Sequence, residues 1–185
     1  RRRRRRTAAV IAASSGSGLN ASPKSAGVRR QALWLAAGCE AQAAQALLAA
    51  APSLNLGGAA PTALRLCAAF SPSFAATSGE LQLALGLTKQ TVWQLNDAER
   101  HYAAAQALYR ERGEAALEHV AIARRAAVLA ALGRLNQTSE LLAALPQSLR
   151  DPEAQMVAAT AALWLAIERC EFNQVAARFQ VVLRL

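Results

Sequence analysis

The residues of this 185-residue chain that could carry acid–base, nucleophilic or metal chemistry include two histidines, three cysteines and 12 acids. His101 and His119 each stand near an acid, Glu99 and Glu118, as an acid–base pair or a pair of metal ligands would. Either role needs converging side chains, and no HExxH or Cys/His ligand spacing is present. Both are read as surface or interhelix groups. Cys39, Cys67 and Cys170 are odd in number, widely spaced and free of any CxxC pair. That pattern predicts packed, reduced thiols in a reducing compartment, cytoplasmic or organellar, and no disulfide framework or metal site. Gly57-Gly58 and Ser15-Gly16-Ser17-Gly18 lack the Lys-Ser/Thr context of a phosphate loop, and no GxSxG elbow occurs. No catalytic residue and no cofactor is expected, and the chain is read as a non-enzyme.

Trp34, Trp93 and Trp164 could stack on bases, but they lie far apart and inside helical apolar patterns, so packing is their expected role. The formal net charge of +9 suggests a nucleic-acid partner until its distribution is considered. Arg1 to Arg6, Lys24, Arg29 and Arg30 meet no acid in residues 1–30, whereas 12 basic and 12 acidic groups balance over residues 31–185. Nucleic acid therefore has a contact only through Arg1–Arg6, in salt-dependent fashion. The same Arg- and Ser-rich stretch also resembles a targeting leader or an artefact. Asn20-Ala21-Ser22 and Asn136-Gln137-Thr138 match the glycosylation acceptor pattern without a convincing secretory signal. No apolar run approaches the roughly eighteen residues of a membrane span.

The elements follow from punctuation. Residues 1–26, basic and without an amphipathic period, are expected to be disordered, and residues 27–185 to form one helical domain. Pro52 and Gly57-Gly58 mark a loop, and Pro61 opens a helix. Thr77 with Glu80, and Asn96 with Glu99, have capping-box spacing. Gly113 and Pro146 end helices, and Asp151-Pro152-Glu153 starts one. The expected helices lie near 27–38, 40–51, 61–74, 79–94, 97–112, 115–132, 137–145, 152–169 and 172–184, with no strand.

A turn recurs among them: at Gly38, at Trp93-Gln94-Leu95, at Gly133 and at Cys170-Glu171-Phe172. After each, a helix carries smaller and larger residues on one face: Ala43, Leu47 and Ala50; Ala98, Tyr102 and Ala105; Thr138, Leu142 and Leu145; Val175, Phe179 and Val182. With Leu85-Gly86 ahead of the second set, these units resemble the tetratricopeptide repeat family, whose helix-turn-helix units are about 34 residues long. Taking 38, 93, 133 and 170 as equivalent points, the spacings are 55, 40 and 37, lengthened relative to the family. Arg125 stands where the family usually has a large apolar residue, and Thr138 and Val175 where it has a small one.

The resemblance implies an all-α fold, an α-α superhelix in which antiparallel hairpins stack as a right-handed solenoid. Gly38, Ala43, Leu47, Gly86, Ala98, Tyr102, Ala105, Gly133, Leu142, Phe172 and Phe179 would be its packing residues. Because Leu185 falls inside a helix still in progress, a longer native protein or a partner over that end is expected. First helices of the pairs would line a concave groove of Leu83, Leu87, Gln90, Ala123, Ala127, Ala130, Thr160, Trp164 and Ile167. That surface is almost uncharged and lacks the Lys, Arg and Asn with which family members clamp a terminal carboxylate. A noncatalytic scaffold or adaptor gripping an apolar or amphipathic helical segment is the resulting expectation. Two alternatives stay open: a sensing or oligomerising segment of a multidomain transcription regulator, with a neighbouring domain filling the groove, and a nucleic-acid- or ribosome-associated assembly factor acting through the basic leader.

Overall fold

A computed structural model describes residues 23–184, which form ten α-helices, with no strand among the described residues. They are α1 (Pro23–Ala36), α2 (Glu40–Leu56), α3 (Ala60–Cys67), α4 (Pro72–Thr77), α5 (Gly79–Thr91), α6 (Leu95–Glu111), α7 (Ala115–Ala131), α8 (Leu135–Ala143), α9 (Pro152–Glu168) and α10 (Phe172–Arg184). The expected disordered leader lies outside the described residues up to residue 22, Arg1–Arg6 included. Its last four positions, 23–26, instead belong to α1, which starts on a proline whose missing N–H and fixed φ suit a first helical turn. The chain divides into two compact units, with the boundary between Ala84 and Leu85, inside α5. One helical domain was expected.

Six turns share a single backbone solution. Gly38, Gly58, Trp93, Gly113, Gly133 and Cys170 all have positive φ, between 56° and 73°. At each, that residue's N–H donates to the carbonyl three back, and the next residue's N–H to the carbonyl five back from itself, as in Gly133 to Ala130 and Arg134 to Leu129, both 2.9 Å. This is the Schellman closure, which satisfies carbonyls a helix end otherwise leaves bare. The four points taken as equivalent from the sequence, 38, 93, 133 and 170, are all left-handed residues of such turns.

In the first unit α1 and α2 form a hairpin and α3 packs on α2. The seam is alanine-rich: α2 buries Ala43, Ala44, Leu47, Ala50, Ala51 and Leu54. Pro52 does not break the helix, contrary to expectation. It lies exposed within α2, which runs on to Leu56 and stops at the left-handed Gly58. The helix expected over 61–74 is two helices, because Ser71 caps α4 with its hydroxyl and is itself fixed by Glu40. The Ser71 N–H donates to Glu40 Oε1 at 2.6 Å and its hydroxyl to Oε2 at 2.9 Å. Gln31, fully buried on α1, donates to the Leu66 carbonyl at 3.0 Å.

In the second unit, α6 packs on α7, α7 on α8 and α9, and α9 on α8 and α10. Ala98, Tyr102, Ala105 and Tyr109 of α6 are buried, as are Ala121, Ala126, Val128 and Leu129 of α7 and Ala154, Ala161, Leu165 and Ala166 of α9. Tyr102 lies against Gly86 of α5, and its hydroxyl donates to Gln90 Oε1 at 2.7 Å. Thr138, also buried, donates back to the Arg134 carbonyl at 3.0 Å. The expected packing roles of Phe172 and Phe179 are not met: α10 has no buried residue, and these rings are 73% and 49% exposed. Leu142 is half-buried.

Two substitutions test this packing by chemical denaturation. A Cβ at position 86 would come within 2.5 Å of the Tyr102 ring, which is fully buried and cannot swing away. Gly86→Ala should therefore destabilise by about 1–3 kcal/mol despite alanine's better helix propensity. Trp93→Gly should do the reverse, stabilising by about 1 kcal/mol, because it relieves a left-handed backbone at a side chain that packs little. An unchanged midpoint in both would refute the two assignments.

Candidate functional site

Among the described residues no group of three or more His, Cys, Asp and Glu side chains could hold a metal ion. His101, half-buried on α6, has its pKa pushed below the ordinary histidine value, chiefly by burial and then by Lys89, with Asp97 opposing. Asp97 is half-buried, and its pKa is lowered first by a hydrogen bond from Arg100. Its carboxylate also lies 3.6 Å from Lys89. His119 lies on α7 and lines a different feature, described below. Burial drives the Cys67 thiol from 9.0 up to about 12. Cys39 is half-buried and Cys170 is exposed.

Several other charges tie helices together. Arg125 of α7, at the position where an apolar residue was noted as usual, donates to Glu99 Oε1 at 2.7 Å and to Gln106 Oε1 at 3.2 Å, both on α6. Arg124 pairs with Glu153 at the start of α9. Its own pKa is lowered by burial, with Tyr102 and Asp151 acting against that shift. Asn96 accepts from Arg134 at 3.0 Å. The capping box expected at Asn96 and Glu99 is therefore absent: both side chains are spent on tertiary partners, and the N-cap position is Gln94 without a side-chain bond. At the preceding site the cap is Ser78, whose hydroxyl accepts from Leu81 N–H at 3.2 Å, while Thr77 bonds back to Ser73 and Phe74. The start at Asp151 is as expected, its carboxylate accepting from Ala154 N–H at 2.7 Å.

Of the nine groove positions, Leu83, Ala123 and Ala130 are buried, and Ala123 packs against Leu149 and Ala154. Leu87, Gln90 and Ala127 are half-buried. Thr160, Trp164 and Ile167 are exposed, the last two at 49% and 47%. At 3.6 residues per turn these three share one face of α9, an uncharged strip in which threonine is the only polar member.

The opposite face of α9 lines a cavity that sequence reasoning missed. It has a volume of about 650 Å³ and lies between α8, α9, α10 and the 144–151 loop. Leu142, Leu145, Ala158, Ala162, Leu165 and Val181 make its apolar wall. Its cause is the length of α8: nine residues against seventeen in α7 and α9, which leaves α9 uncovered over about 12 Å. Pro146 and the loop after it were the sequence signal available, since they stop α8 two turns early. Arg178 is the one charged side chain in the lining. Its Nε and Nη2 both donate to the neutral Gln174 Oε1, at 3.3 and 2.9 Å, and no carboxylate among the described residues pairs with it. The same loop borders a second cavity of about 350 Å³, lined by His119, Arg150 and Asp151 with the first turns of α7 and α9.

Over the described residues the chain is all-helical, with an uncharged strip on α9 and a cavity of mixed lining whose apolar part is aliphatic. Comparison of the chain with family models, with curated proteins and with solved structures gave no match. No helix among the described residues is long and apolar enough to cross a membrane.

The Cys67 shift has a signed consequence. A thiol harder to ionise when folded contributes stability that is complete below pH 9.0 and is lost as pH rises towards 12. At pH 8, iodoacetamide should alkylate Cys170 readily and leave Cys67 unmodified until urea unfolds the protein, read by peptide mass. Equal labelling of the two in the folded state would remove the burial assigned to Cys67.

Proposed function

We propose that this chain is a noncatalytic interaction module of tetratricopeptide type, a scaffold or adaptor that holds an apolar or amphipathic helical segment of another protein. The observation that carries this reading is the strip Thr160, Trp164 and Ile167 on α9, uncharged and about half exposed at its two large side chains. A tryptophan and an isoleucine at i and i+3 offer the anchor spacing by which a helix lies against an apolar surface. The repeat-family part of the reading is supported by the six like turns and by the order of packing in the second unit. There each helix meets its successor and α7 also meets α9, as stacked hairpins require.

The test is site-specific photo-crosslinking from position 160, on the same strip but not one of its two anchors, in the native host, followed by mass spectrometry. Crosslinks should fall on an apolar helical segment of a partner and survive a rise from low to moderate salt, because burial and not charge holds the contact. Trp164→Ala should abolish them. A complex lost at moderate salt, or one indifferent to Trp164→Ala, would overturn the proposal.

A further inference from the structure

Beyond the interaction reading and independent of it, we propose that the cavity between α8, α9 and α10 binds a small amphipathic carboxylate, its aliphatic body between the helices and its carboxylate on Arg178. The volume of about 650 Å³ lies within the range of roughly 300–1,000 Å³ typical of small-molecule sites. The wall chemistry selects the body of the ligand. Leu142, Leu145, Leu165 and Val181, with the alanines of α9, are aliphatic, and no aromatic ring lines the cavity to stack on a base or a planar ring system.

Arg178 selects the head. A guanidinium has five donors, and two of this one are directed to a neutral amide oxygen. The others are available for the paired hydrogen bonds that a planar carboxylate accepts. With no second basic side chain in the lining, a single negative charge is matched and a phosphate dianion is not. Gln155 adds no competing handle through its amide nitrogen, which donates to the Leu149 carbonyl. The site also lies across α9 from Trp164 and Ile167, so ligand and partner segment use separate faces.

Isothermal titration calorimetry of the full chain tests the assignment. Decanoate is the probe, kept below its micelle-forming concentration, with decanol and decyltrimethylammonium as controls. Decanoate should bind saturably at one site per chain and the cation should not bind. Arg178→Gln should weaken decanoate binding by about tenfold or more, the effect of a lost charge-assisted pair, and leave decanol binding unchanged. Ala162→Phe, which fills the cavity from the middle of α9, should abolish both. No saturable decanoate binding by the folded wild type overturns the proposal, as does equal affinity of wild type and Arg178→Gln. A wild type that self-associates in sedimentation, and that Ala162→Phe turns monomeric, would assign the cavity to a second copy of the chain instead. Should Ala162→Phe fail to fold, by circular dichroism, the Arg178→Gln comparison decides alone.

Discussion

Helix reversal within a three-residue turn is the constraint on which this chain depends. It requires one residue with positive φ at each reversal, and all six such turns meet it with the same pair of hydrogen bonds. Once the reversal is fixed, the two helices leaving it must run side by side, and what separates their axes is whatever side chains face inward. The composition then decides the spacing. With alanine at so many facing positions and a glycine under Tyr102, backbones approach closely, and a few large side chains complete the core of each unit.

Turn positions were legible in the sequence for that reason. Gly38, Gly133 and Gly113 announce a left-handed residue by type, and the periodic alanines around them locate helix faces. Trp93 and Cys170 do not announce it, yet their places in the recurring pattern identified them. Local capping chemistry was less legible because distant partners compete for the same side chains. Asn96 and Glu99 look like a cap in one dimension, but in three they meet Arg134 and Arg125. Pro52 looks like a stop, but at an exposed position of a long helix it costs a single hydrogen bond and the packing of α2 outweighs it.

The site divides in the same way. Thr160, Trp164 and Ile167 could be placed on a common face by counting, since a helix's period is all that is needed. Their neighbours in that expected row could not be sorted, because whether Ala123 faces solvent depends on where a loop residue, Leu149, comes to rest. The cavity was invisible for a related reason. It is made by a helix that ends early, and empty space between elements has no residues of its own. Arg125 and Arg124, which could have been read as a basic patch, are absorbed by α6 and α9. These two charges thus act as cross-bracing between helices, whereas Arg178 bonds within its own helix.

Trp93 and Cys170 occupy left-handed turn positions that glycine fills at the other four reversals. In the genetic code, tryptophan and cysteine codons each become glycine codons by changing the first base alone. Relief of the backbone strain at either turn is therefore a point mutation away, and codon distance does not account for the larger residues standing there.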